Sequence, residues 1–350
     1  MEKLKIAVIF GGVSTEHEVS RWSATTVLNH LDPEKYQVEM VGITKEGRWL
    51  RYTGEVGALQ NGQWEQGPVQ DCTLNTSRNR KGLLVLEQGT YQFLPLDCVI
   101  PVLHGKNGED GTIQGLFQIA GLPFVGCDAI SSANCMDKEM THVILESAGI
   151  PMAKWQCVRQ EEDQAAAISR IEEKLDYPVF VKPANAGSSV GVSKACDREQ
   201  LKTALQTAFH EDKKAIVEET IVGKEVECAV LGNQDAKPAI AGEILSANEE
   251  IYDYEAKYVN PQSQVQIPAD IQPDTMELLR QTAVKAYRAI GCEGLSRVDF
   301  FVTPEQKVIL NEINTLPGFT DISMYPKMWV HMGVSISELL DRLIQYALSR

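Results

Sequence analysis

Two kinds of hydrophobic spacing alternate at the start of the chain. From Lys5 to Phe10 an apolar run ends in a Gly-Gly pair, which is typical of a buried parallel strand followed by a tight turn. Thr15 and Glu18 then fit a capping box, and apolar residues at helical spacing continue to about Leu31. A second strand pattern at 36–43 completes a strand, helix and strand in the βαβ arrangement.

This periodicity is lost and then returns in the next segment. Residues 45–92 are rich in Gly, Asn, Gln and charges, and we predict an irregular surface excursion there. A buried strand follows at 97–103, then a glycine-rich loop at 104–111 and a helix at 112–120. Loops at the carboxyl ends of parallel strands are where α/β folds bind ligands, so this loop is a candidate site wall.

The middle of the chain predicts a mixed unit of helices and strands. A helix is expected at 131–148, where a Gly-Ile-Pro sequence ends it. Further strands are predicted at 154–158, 177–183 and 215–221, helices at 164–175 and 198–210, and two small strands joined by a Gly/Ser turn at 186–192.

A long polar stretch at 246–266 has little apolar periodicity but carries three tyrosines. A loop of this length inside a compact region is more often a functional lid than a connector, so we expect a lid that closes over a ligand. Helices are predicted on either side of the last hairpin, at 275–290 and 335–347.

That hairpin, at 296–320, alternates apolar and polar side chains on two strands. Side chains two apart share a face of a strand, so Arg297 and Asp299 point one way on the first arm, as do Glu312 and Asn314 on the second.

The pairing between the two arms follows from the turn. If the loop is 304–307, Thr303 pairs with Val308. The four polar residues then form two facing pairs on one face, Asp299 with Glu312 and Arg297 with Asn314.

Asp299, Glu312 and Asn314 are candidate metal ligands. Two adjacent carboxylates repel unless a cation lies between them, and an added amide oxygen suits a hard ion such as Mg²⁺. The alternative is a solvated outer face of a sheet. The flanking Val298 and Phe300 are apolar, which favours a buried strand and hence the metal site.

Composition narrows the classes of protein. With 350 residues, 43% of them hydrophobic, the chain can form two or three compact units. The net charge of −15 without a basic stripe argues against a nucleic-acid binder. The apolar run at 6–10 is too short for a secretory core, and no run approaches membrane-spanning length, so we expect a cytoplasmic protein. The eight cysteines contain no CxxC pair, which favours buried thiols over disulfides or zinc ligands.

A phosphate site is predicted at the Gly/Ser turn of 186–192. Backbone N–H groups in such a turn can surround phosphate oxygens, and Lys182 just upstream would add a positive charge. No G-x-x-x-x-G-K-[ST] sequence or protein-kinase catalytic loop is present. The first strand also lacks G-x-G-x-x-G spacing, which excludes an NAD-dependent oxidoreductase.

Three further polar residues are ambiguous by themselves. Glu16 suits the first turn of any helix, His104 fits a core or capping role, and a lysine such as Lys138 is usually solvated on a helix.

Five motifs taken together resolve this ambiguity. They are Gly11-Gly12-x-Ser14-x-Glu16-x-Glu18-Val19-Ser20, His104-Gly105 with Gly108-Glu109-Asp110-Gly111, Met136-Asp137-Lys138, Tyr252-Asp253-Tyr254-Glu255-Ala256-Lys257-Tyr258, and Asn311-Glu312-Ile313-Asn314-Thr315-x-Pro317-Gly318. Each motif is weak alone. As a set they resemble the D-alanine:D-alanine ligase family of the ATP-grasp superfamily, over the whole chain apart from roughly 45–92.

The resemblance implies an α/β fold, α+β in part, with a three-domain ATP-grasp architecture. The domains would be an N-terminal Rossmann-like parallel-sheet domain at 1–126, a central domain at 127–217 and a C-terminal domain at 218–350. ATP would lie between the last two domains, and the family also implies a homodimer.

The resemblance also implies roles for individual residues. Phosphate contacts would come from Lys138, Lys182, Ser188, Ser189 and Lys257. The backbone beside Glu218, Glu219 and Ile221 would take the adenine, Glu225 the ribose, and Asp299, Glu312 and Asn314 two Mg²⁺ (or Mn²⁺) ions.

The implied chemistry joins two D-alanine molecules through an acyl phosphate. Arg297 and the Gly318 N–H would stabilise the tetrahedral intermediate. Glu16 would bind the first substrate's ammonium and Ser323 the second substrate's carboxylate, with His104 as a further substrate contact. Ser188 and Tyr258 are the remaining catalytic candidates.

Two alternatives remain open. The second substrate could be D-serine or D-lactate instead of D-alanine. In the family the position of Tyr258 is tyrosine in peptide-forming members and histidine in ester-forming ones. Met324 stands where ligases for lactate or serine typically carry arginine. Both residues favour D-alanine as the second substrate. A nucleotide-binding module without turnover would need a lost ligand or arginine, and Arg297 and Asp299 are both present.

Overall fold

A computed structural model of the protein describes residues 2–187, 189–245 and 264–350. Within these ranges the chain forms three β-sheets of seven, four and six strands, with helices packed against them. The α/β class predicted from the sequence is confirmed. Ser188 and residues 246–263, which include most of the expected lid with Lys257 and Tyr258, lie outside the described residues.

The first sheet has the strand order β6-β5-β4-β3-β2-β1-β7. Its strands are β1 Leu4–Gly11, β2 Tyr36–Ile43, β3 Trp49–Tyr52, β4 Val69–Leu74, β5 Gly82–Glu87, β6 Thr90–Pro95 and β7 Cys98–Val102, and its helices are α1 His17–His30, α2 Gly57–Gln60 and α3 Thr112–Ala120. β1 is parallel to both β2 and β7, as the predicted βαβ unit requires. The loops after β1 and β7 therefore meet at one edge of the sheet.

The surface excursion predicted at 45–92 is wrong. This stretch adds the antiparallel strands β3 to β6 to the sheet, together with α2 and one 3₁₀ turn, Trp64–Gln66. Its strands are short and partly exposed, so their apolar signal is weak along the sequence. Trp64 is nevertheless fully buried, with its ring edge-on to Phe10 at 5.0 Å and to Tyr52 at 6.3 Å between centroids.

The predicted capping box at the start of α1 is also wrong. Thr15 lies in an exposed turn before the helix, and Glu18 pairs with Lys45 at 2.6 Å. The backbone N–H of Glu16 instead donates to Ser14 Oγ at 3.1 Å. This turn places Glu16 at the N-cap position of α1, where its side chain is buried.

The single helix predicted at 131–148 is two helices, α4 Ala129–Met136 and α5 Lys138–Ser147. Asp137 separates them with an extended backbone, and its carboxylate accepts the N–H groups of Glu139 and Met140. An aspartate that caps a new helix in this way stops the preceding one. As a result Lys138 stands in the first turn of α5 rather than on an exposed helical face.

The second sheet is antiparallel, in the order β10-β9-β11-β8. Its strands are β8 Trp155–Arg159, β9 Val179–Pro183, β10 Ser193–Ala195 and β11 Lys214–Glu219, and its helices are α6 Gln164–Glu172 and α7 Arg198–Glu211. The two small strands predicted within 186–192 are wrong, because the described part of this stretch is turn and coil and β10 begins only at Ser193.

The third sheet has the order β15-β14-β12-β16-β17, with β13 beside β12. Its strands are β12 Lys224–Leu231, β13 Lys237–Pro238, β14 Gly242–Leu245, β15 Gln264–Gln266, β16 Leu295–Val302 and β17 Val308–Asn314, and its helices are α8 Pro273–Ile290, α9 Met324–His331 and α10 Ile336–Leu348. Helix α9 has no counterpart among the predicted elements, because Pro326 in its first turn is typical of a loop as well as of a helix start.

The hairpin β16–β17 pairs its polar residues as predicted, Asp299 with Glu312 and Arg297 with Asn314. The predicted Thr303–Val308 pair is wrong, since Val308 pairs with Val302. A β-bulge corrects the difference: Phe300 pairs with Leu310, and Asn311 is the extra residue on β17.

One hydrophobic core joins the first and third sheets. Phe10 and Ile100 of the first sheet belong to the same buried cluster as Trp329 of α9 and Leu343 of α10. The eight cysteines, all in described parts of the chain, are free thiols and six of them are buried, which agrees with the prediction. Among the helices that the structure describes, none combines the length and apolarity needed to span a membrane.

Trp64→Ala should lower the free energy of unfolding by about 3–5 kcal/mol, because it removes a large buried ring and leaves a cavity beside Phe10. Urea unfolding followed by circular dichroism measures this loss. Tyr91→Ala is the matched control, since Tyr91 is on β6 and is 60% exposed. Equal stability of the two variants would contradict a packing role for Trp64.

Candidate active site

A cavity of about 70 Å³ brings together five of the predicted site residues. Glu16 comes from the start of α1, Lys138 from the start of α5, and Arg297, Glu312 and Asn314 from the hairpin. The rest of the lining is formed by Glu109, Cys135, Met136, Ala186, Gly187, Ile313 and Thr315. Residues from the first, middle and last parts of the chain therefore share one site.

Arg297 is held by two carboxylates on the sheet. Its Nε and Nη2 donate to the two oxygens of Asp299 at 2.8 and 2.7 Å, and its Nε lies 3.2 Å from Glu227 Oε2. Glu227 pairs with Asp299 across β12 and β16, and Asp299 pairs with Glu312 across β16 and β17. One guanidinium therefore stands in a row of three carboxylates, which leaves an excess of negative charge.

This excess of negative charge is what a divalent cation would neutralise. Asn314 Oδ1 accepts the N–H of Leu316 at 3.1 Å, and its second lone pair remains for another partner. Two carboxylates and an amide oxygen on one face are a donor set that fits Mg²⁺ or Mn²⁺. Among the described residues no group of three or more His, Cys, Asp or Glu side chains is placed to hold a metal ion, so the metal site at the hairpin stays a prediction.

Lys182 belongs to a buried charge network. Its Nζ lies 2.6 Å from Glu218 Oε2 and 3.3 Å from Asn311 Oδ1, while Glu218 Oε1 accepts from His142 Nε2 at 2.7 Å. Burial alone would raise the pKa of Glu218, but Lys182 and His142 outweigh it and lower that pKa to about 2. Burial likewise lowers the pKa of Lys182, and Glu218 more than reverses this, so Lys182 is firmly charged.

Lys138 has a different environment. Its Nζ donates to the carbonyl oxygen of Ala186 at 2.7 Å, and its backbone N–H donates to Ala184 at 3.0 Å. These two bonds tie α5 to the start of the Gly/Ser turn. Burial lowers the pKa of Lys138, with Glu312 acting in the opposite direction. A bound anion would therefore increase the stability of its charged form.

Glu16 and Glu109 face each other across Gly105. A Cβ built on Gly105 would lie 2.5 Å from Glu16 Oε2, and the Gly105 N–H donates to Glu109 Oε2 at 2.8 Å. Gly105 also has a φ of +65°, so this close approach requires glycine. Burial, together with Glu16, raises the pKa of Glu109 to about 8. A pair of carboxylates of this kind suits a cationic group such as a substrate ammonium.

The Gly/Ser turn is described except at Ser188. Ser189 has a φ of +59° and Gly191 a φ of +72°, backbone conformations that turn successive N–H groups toward one side. A Cβ built on Gly187 would lie 3.6 Å from Glu16 Oε2, so this turn approaches Glu16 closely. This arrangement supports the predicted phosphate contact of Ser189, and the roles of Ser188, Lys257 and Tyr258 stay predictions.

His104, Gly318 and Ser323 are not among the residues that line this cavity. His104 is buried, and both of its ring nitrogens contact protein atoms, Leu316 O at 3.1 Å and Ser23 Oγ at 3.3 Å. Gly318 is buried in the turn after Leu316. Ser323 Oγ accepts the N–H of Thr320 at 3.0 Å and lies 2.8 Å from its hydroxyl oxygen.

The predicted adenine contacts are partly occupied by sheet pairing. Glu218 and Glu219 both pair with β9, so their backbones belong to the ladder, which ends at Glu219. Ile221 lies beyond the end of β11 and retains the predicted position for an adenine contact. Glu225 is on β12 and shares a face with Glu227, two residues on.

Four site residues have no role in the sequence-based prediction: Glu109, Glu227, Asn311 and His142. The period-two spacing of Glu225 and Glu227 could have identified Glu227, because both must share the face of Arg297. Asn311 depends on the bulge and His142 on the break at Asp137, and neither feature has a clear sequence signal.

Comparison with known protein families gives two matches, one to the N-terminal part of the chain and one to the C-terminal part. The family profile described as D-ala D-ala ligase N-terminus matches residues 5–127, and the profile described as D-ala D-ala ligase C-terminus matches residues 144–345. The chain belongs to the D-alanine–D-alanine ligase family. Its predicted ATP-grasp architecture is thereby confirmed, while the domain boundaries at 126 and 217 stay predictions.

Individual relatives agree with this family assignment. A D-alanine–D-alanine ligase from Acetivibrio thermocellus is 49% identical over 366 residues, covering 100% of this chain and 97% of that protein. The VanG D-Ala:D-Ser ligase from Enterococcus faecalis is 42% identical with a TM-score of 0.92, covering 99% of this chain and 100% of that one. The Bacillus anthracis D-alanine–D-alanine ligase complexed with ATP is 26% identical with a TM-score of 0.71, covering 99% of this chain and 98% of that one.

Glu218→Gln should reduce the free energy of unfolding at pH 7 by about 3 kcal/mol. Folding lowers the pKa of Glu218 from 4.5 to about 2, and each pKa unit corresponds to about 1.4 kcal/mol of stability. This contribution is therefore present above pH 4.5 and is lost as the pH falls toward 2. Chemical unfolding at a series of pH values measures both effects.

Glu219→Gln is the matched control for this prediction. Glu219 is the neighbouring residue, and its carboxylate is partly exposed, 3.8 Å from Lys154. If Glu218→Gln had the same acid-dependent loss of stability as the wild type, Glu218 would not be the group responsible.

Proposed function

We propose that this chain catalyses the ATP-dependent ligation of two D-alanine molecules to D-alanyl-D-alanine, a peptidoglycan precursor, through an acyl-phosphate intermediate. One observation carries the proposal: Glu16, Lys138, Arg297, Glu312 and Asn314 line a single cavity although they come from distant parts of the sequence. Family membership supplies the reaction class, an ADP-forming ligase.

The first step is phosphoryl transfer from ATP to the carboxylate of the first D-alanine. Lys138 and Lys182 would bind phosphate oxygens together with Ser188, Ser189 and Lys257. Lys182 is already charged before ATP binds, because Glu218 lies 2.6 Å away. ATP as the nucleotide is supported by the relative from Bacillus anthracis that is described as complexed with ATP. Catalysis of this step depends mainly on positioning and charge.

Asp299, Glu312 and Asn314 would hold two Mg²⁺ or Mn²⁺ ions at the hairpin. The ions, when bound, neutralise charge on the transferring phosphoryl group. The residues of this chain supply the ligand oxygens, and Arg297 holds Asp299 in place through two hydrogen bonds.

In the second step the amine of another D-alanine attacks the acyl phosphate. The C–N bond forms, the C–O bond to phosphate breaks, and the amine gives up a proton. Arg297 and the Gly318 N–H would donate to the negative oxygen of the tetrahedral intermediate. Glu16 would hold the ammonium of the first substrate and Ser323 the carboxylate of the second, with Ser188 and Tyr258 as further catalytic groups and His104 near the substrates.

D-Serine is the second candidate for the attacking amino acid. The VanG relative, with a TM-score of 0.92, is described as a D-Ala:D-Ser ligase, and one hydroxyl is poorly rejected by a pocket that is not shaped against it. Tyr258 and Met324 favour D-alanine on the family pattern, and relatives of higher identity are named D-alanine–D-alanine ligase. We propose D-alanine as the preferred second substrate, in a cytoplasmic homodimer.

Glu312→Gln should lower ATP turnover with D-alanine about 100-fold or more, because it removes one negative charge from the proposed cation site. Phosphate release at ordinary Mg²⁺ concentration measures turnover, and circular dichroism verifies the fold. Glu305→Gln, at the exposed tip of the same hairpin, should keep wild-type turnover. Near-normal turnover of Glu312→Gln would contradict the hairpin assignment.

The wild-type enzyme should show a higher kcat/KM for D-alanine than for D-serine as second substrate, and should form very little D-alanyl-D-lactate. The measurement is a side-by-side assay at neutral pH, with products separated by chromatography. A preference for D-serine or D-lactate would disprove the specificity while leaving the acyl-phosphate chemistry intact. No ADP formation with any of the three would contradict the proposed function itself.

A further inference from the structure

The turn Leu316–Phe319, which contains Gly318, is held by two residues of the first sheet's loops and helices. His104 Nδ1 lies 3.1 Å from the carbonyl oxygen of Leu316. The backbone N–H of Phe319 donates to Ser23 Oγ at 3.2 Å, and Ser23 Oγ lies 3.3 Å from His104 Nε2. Ser23, from α1, and His104, from the loop after β7, thus form one chain of hydrogen bonds with the turn.

The direction of each hydrogen bond in this chain follows from the donors and acceptors that meet and from the charge state of His104. A carbonyl oxygen can only accept, so His104 Nδ1 carries a hydrogen and donates it to Leu316. The Phe319 N–H occupies one lone pair of Ser23 Oγ, and Ser23 has a single hydrogen to donate. Because burial keeps the His104 ring neutral and its one hydrogen is on Nδ1, Nε2 is the acceptor and Ser23 Oγ the donor of the bond between them. His104 is thus a neutral ring with its hydrogen on Nδ1.

These bonds limit the orientation of the Gly318 N–H. The His104 bond fixes the planar peptide between Leu316 and Pro317, and the Ser23 bond fixes the peptide between Gly318 and Phe319. The Gly318 N–H belongs to the one peptide that lies between these two. The ring of Pro317 also locks its φ, so few rotations remain free.

The surroundings keep this arrangement dry and neutral. Ser23 is fully buried and His104 is 4% exposed. Burial lowers the pKa of His104, with Glu16 raising it and Arg297 lowering it. The ring is therefore uncharged at neutral pH and its Nε2 stays an acceptor.

We propose that Ser23 is a positioning residue for the second step of the reaction: through its bonds to Phe319 and to neutral His104, it orients the Gly318 N–H toward the tetrahedral intermediate. The inference rests on the proposed function, because it assigns a new residue to the same site. Ser23 is fully buried and is not among the residues that line the cavity, so it would act through the turn.

Loss of this orientation has a specific chemical consequence. Attack by the second amine places a full negative charge on the oxygen that the Gly318 N–H would stabilise, so this step should depend on that N–H more strongly than acyl-phosphate formation does. When that attack is slow, water can attack the acyl phosphate instead, which breaks the bond between the carboxyl group and phosphate and returns D-alanine and inorganic phosphate. ADP is then formed without dipeptide.

The test is the ratio of ADP to dipeptide in Ser23→Ala, with Thr25→Ala as control. Thr25 is on the same helix, and its hydroxyl donates within the helix to Arg21 O at 2.9 Å. In Ser23→Ala we expect kcat for dipeptide formation to fall about 10-fold to 100-fold. This loss is no larger than the loss that follows deletion of an oxyanion donor itself, because the Gly318 N–H is still present. KM for ATP should stay within about twofold, and the ADP-to-dipeptide ratio should rise above the wild-type value of about 1.

An unchanged ratio in Ser23→Ala, or an equal rise in Thr25→Ala, would overturn the proposal. If Ser23→Ala does not fold by circular dichroism, Ser23→Cys replaces it, because a thiol of similar shape is a weak donor and acceptor. The same rise in the ratio is expected for Ser23→Cys, and a wild-type ratio would overturn the proposal equally.

A second measurement does not depend on activity. Nitrogen-15 spectra of histidine-labelled protein should show His104, identified by loss of its signals in His104→Gln, as a neutral ring protonated on Nδ1. In Ser23→Ala the Nε2 signal should shift, since its hydrogen-bond donor is gone. A ring protonated on Nε2 in the wild type would overturn the inference. Should the wild-type protein form no dipeptide, the proposed function would fail while this spectrum still tests the hydrogen-bond chain.

Discussion

The hydrophobic core shared by the first and third sheets is the constraint on which the site depends. Side chains such as Phe10 and Ile100 pack in one cluster with Met328, Trp329 and Leu343 of the C-terminal helices. Protein interiors are packed densely and resist deformation. The loops that carry Glu16 and His104 are therefore held at a fixed distance from the hairpin. The hydrogen bonds between these loops and the hairpin turn require this fixed distance, since they are short and directional.

The charges around the cavity are arranged in two different ways. Lys182 is stabilised in its charged form by Glu218 before any ligand arrives, whereas the Lys138 ammonium donates to the carbonyl oxygen of Ala186 and has a lowered pKa. The hairpin carries more carboxylates than guanidinium groups, and Glu16 and Glu109 form a second acidic pair. The cavity thus contains a lysine suited to phosphate together with carboxylates suited to metal ions and an ammonium.

Hydrophobic periodicity predicted the elements with a continuous apolar run or a regular apolar spacing, and failed where that pattern is weak. β1, β2, α3 and the polar pairs of the hairpin follow directly from spacing. Strands β3 to β6 did not, because they are short, β4 and β6 are partly exposed, and the polar segments between them carry no regular apolar spacing. The break at Asp137 depends on a side-chain cap, which competes with a continuous helix over only a few residues. Contacts such as Ser23 with Phe319 join residues far apart in sequence, and only the packed core brings them together.

The bulge at Asn311 lets one strand both pair with β16 and contact the second sheet. All residues of β17 except Asn311 pair with a residue of β16, and Asn311 is the extra residue of the bulge. Its side chain is therefore available to the neighbouring sheet, where its Oδ1 accepts from Lys182 at 3.3 Å. A substitution there would change the link between the two sheets without altering the register of Asp299 and Glu312. Asn311 thus links the hairpin to the second sheet, while Leu310 and Glu312 on either side of it keep their partners on β16.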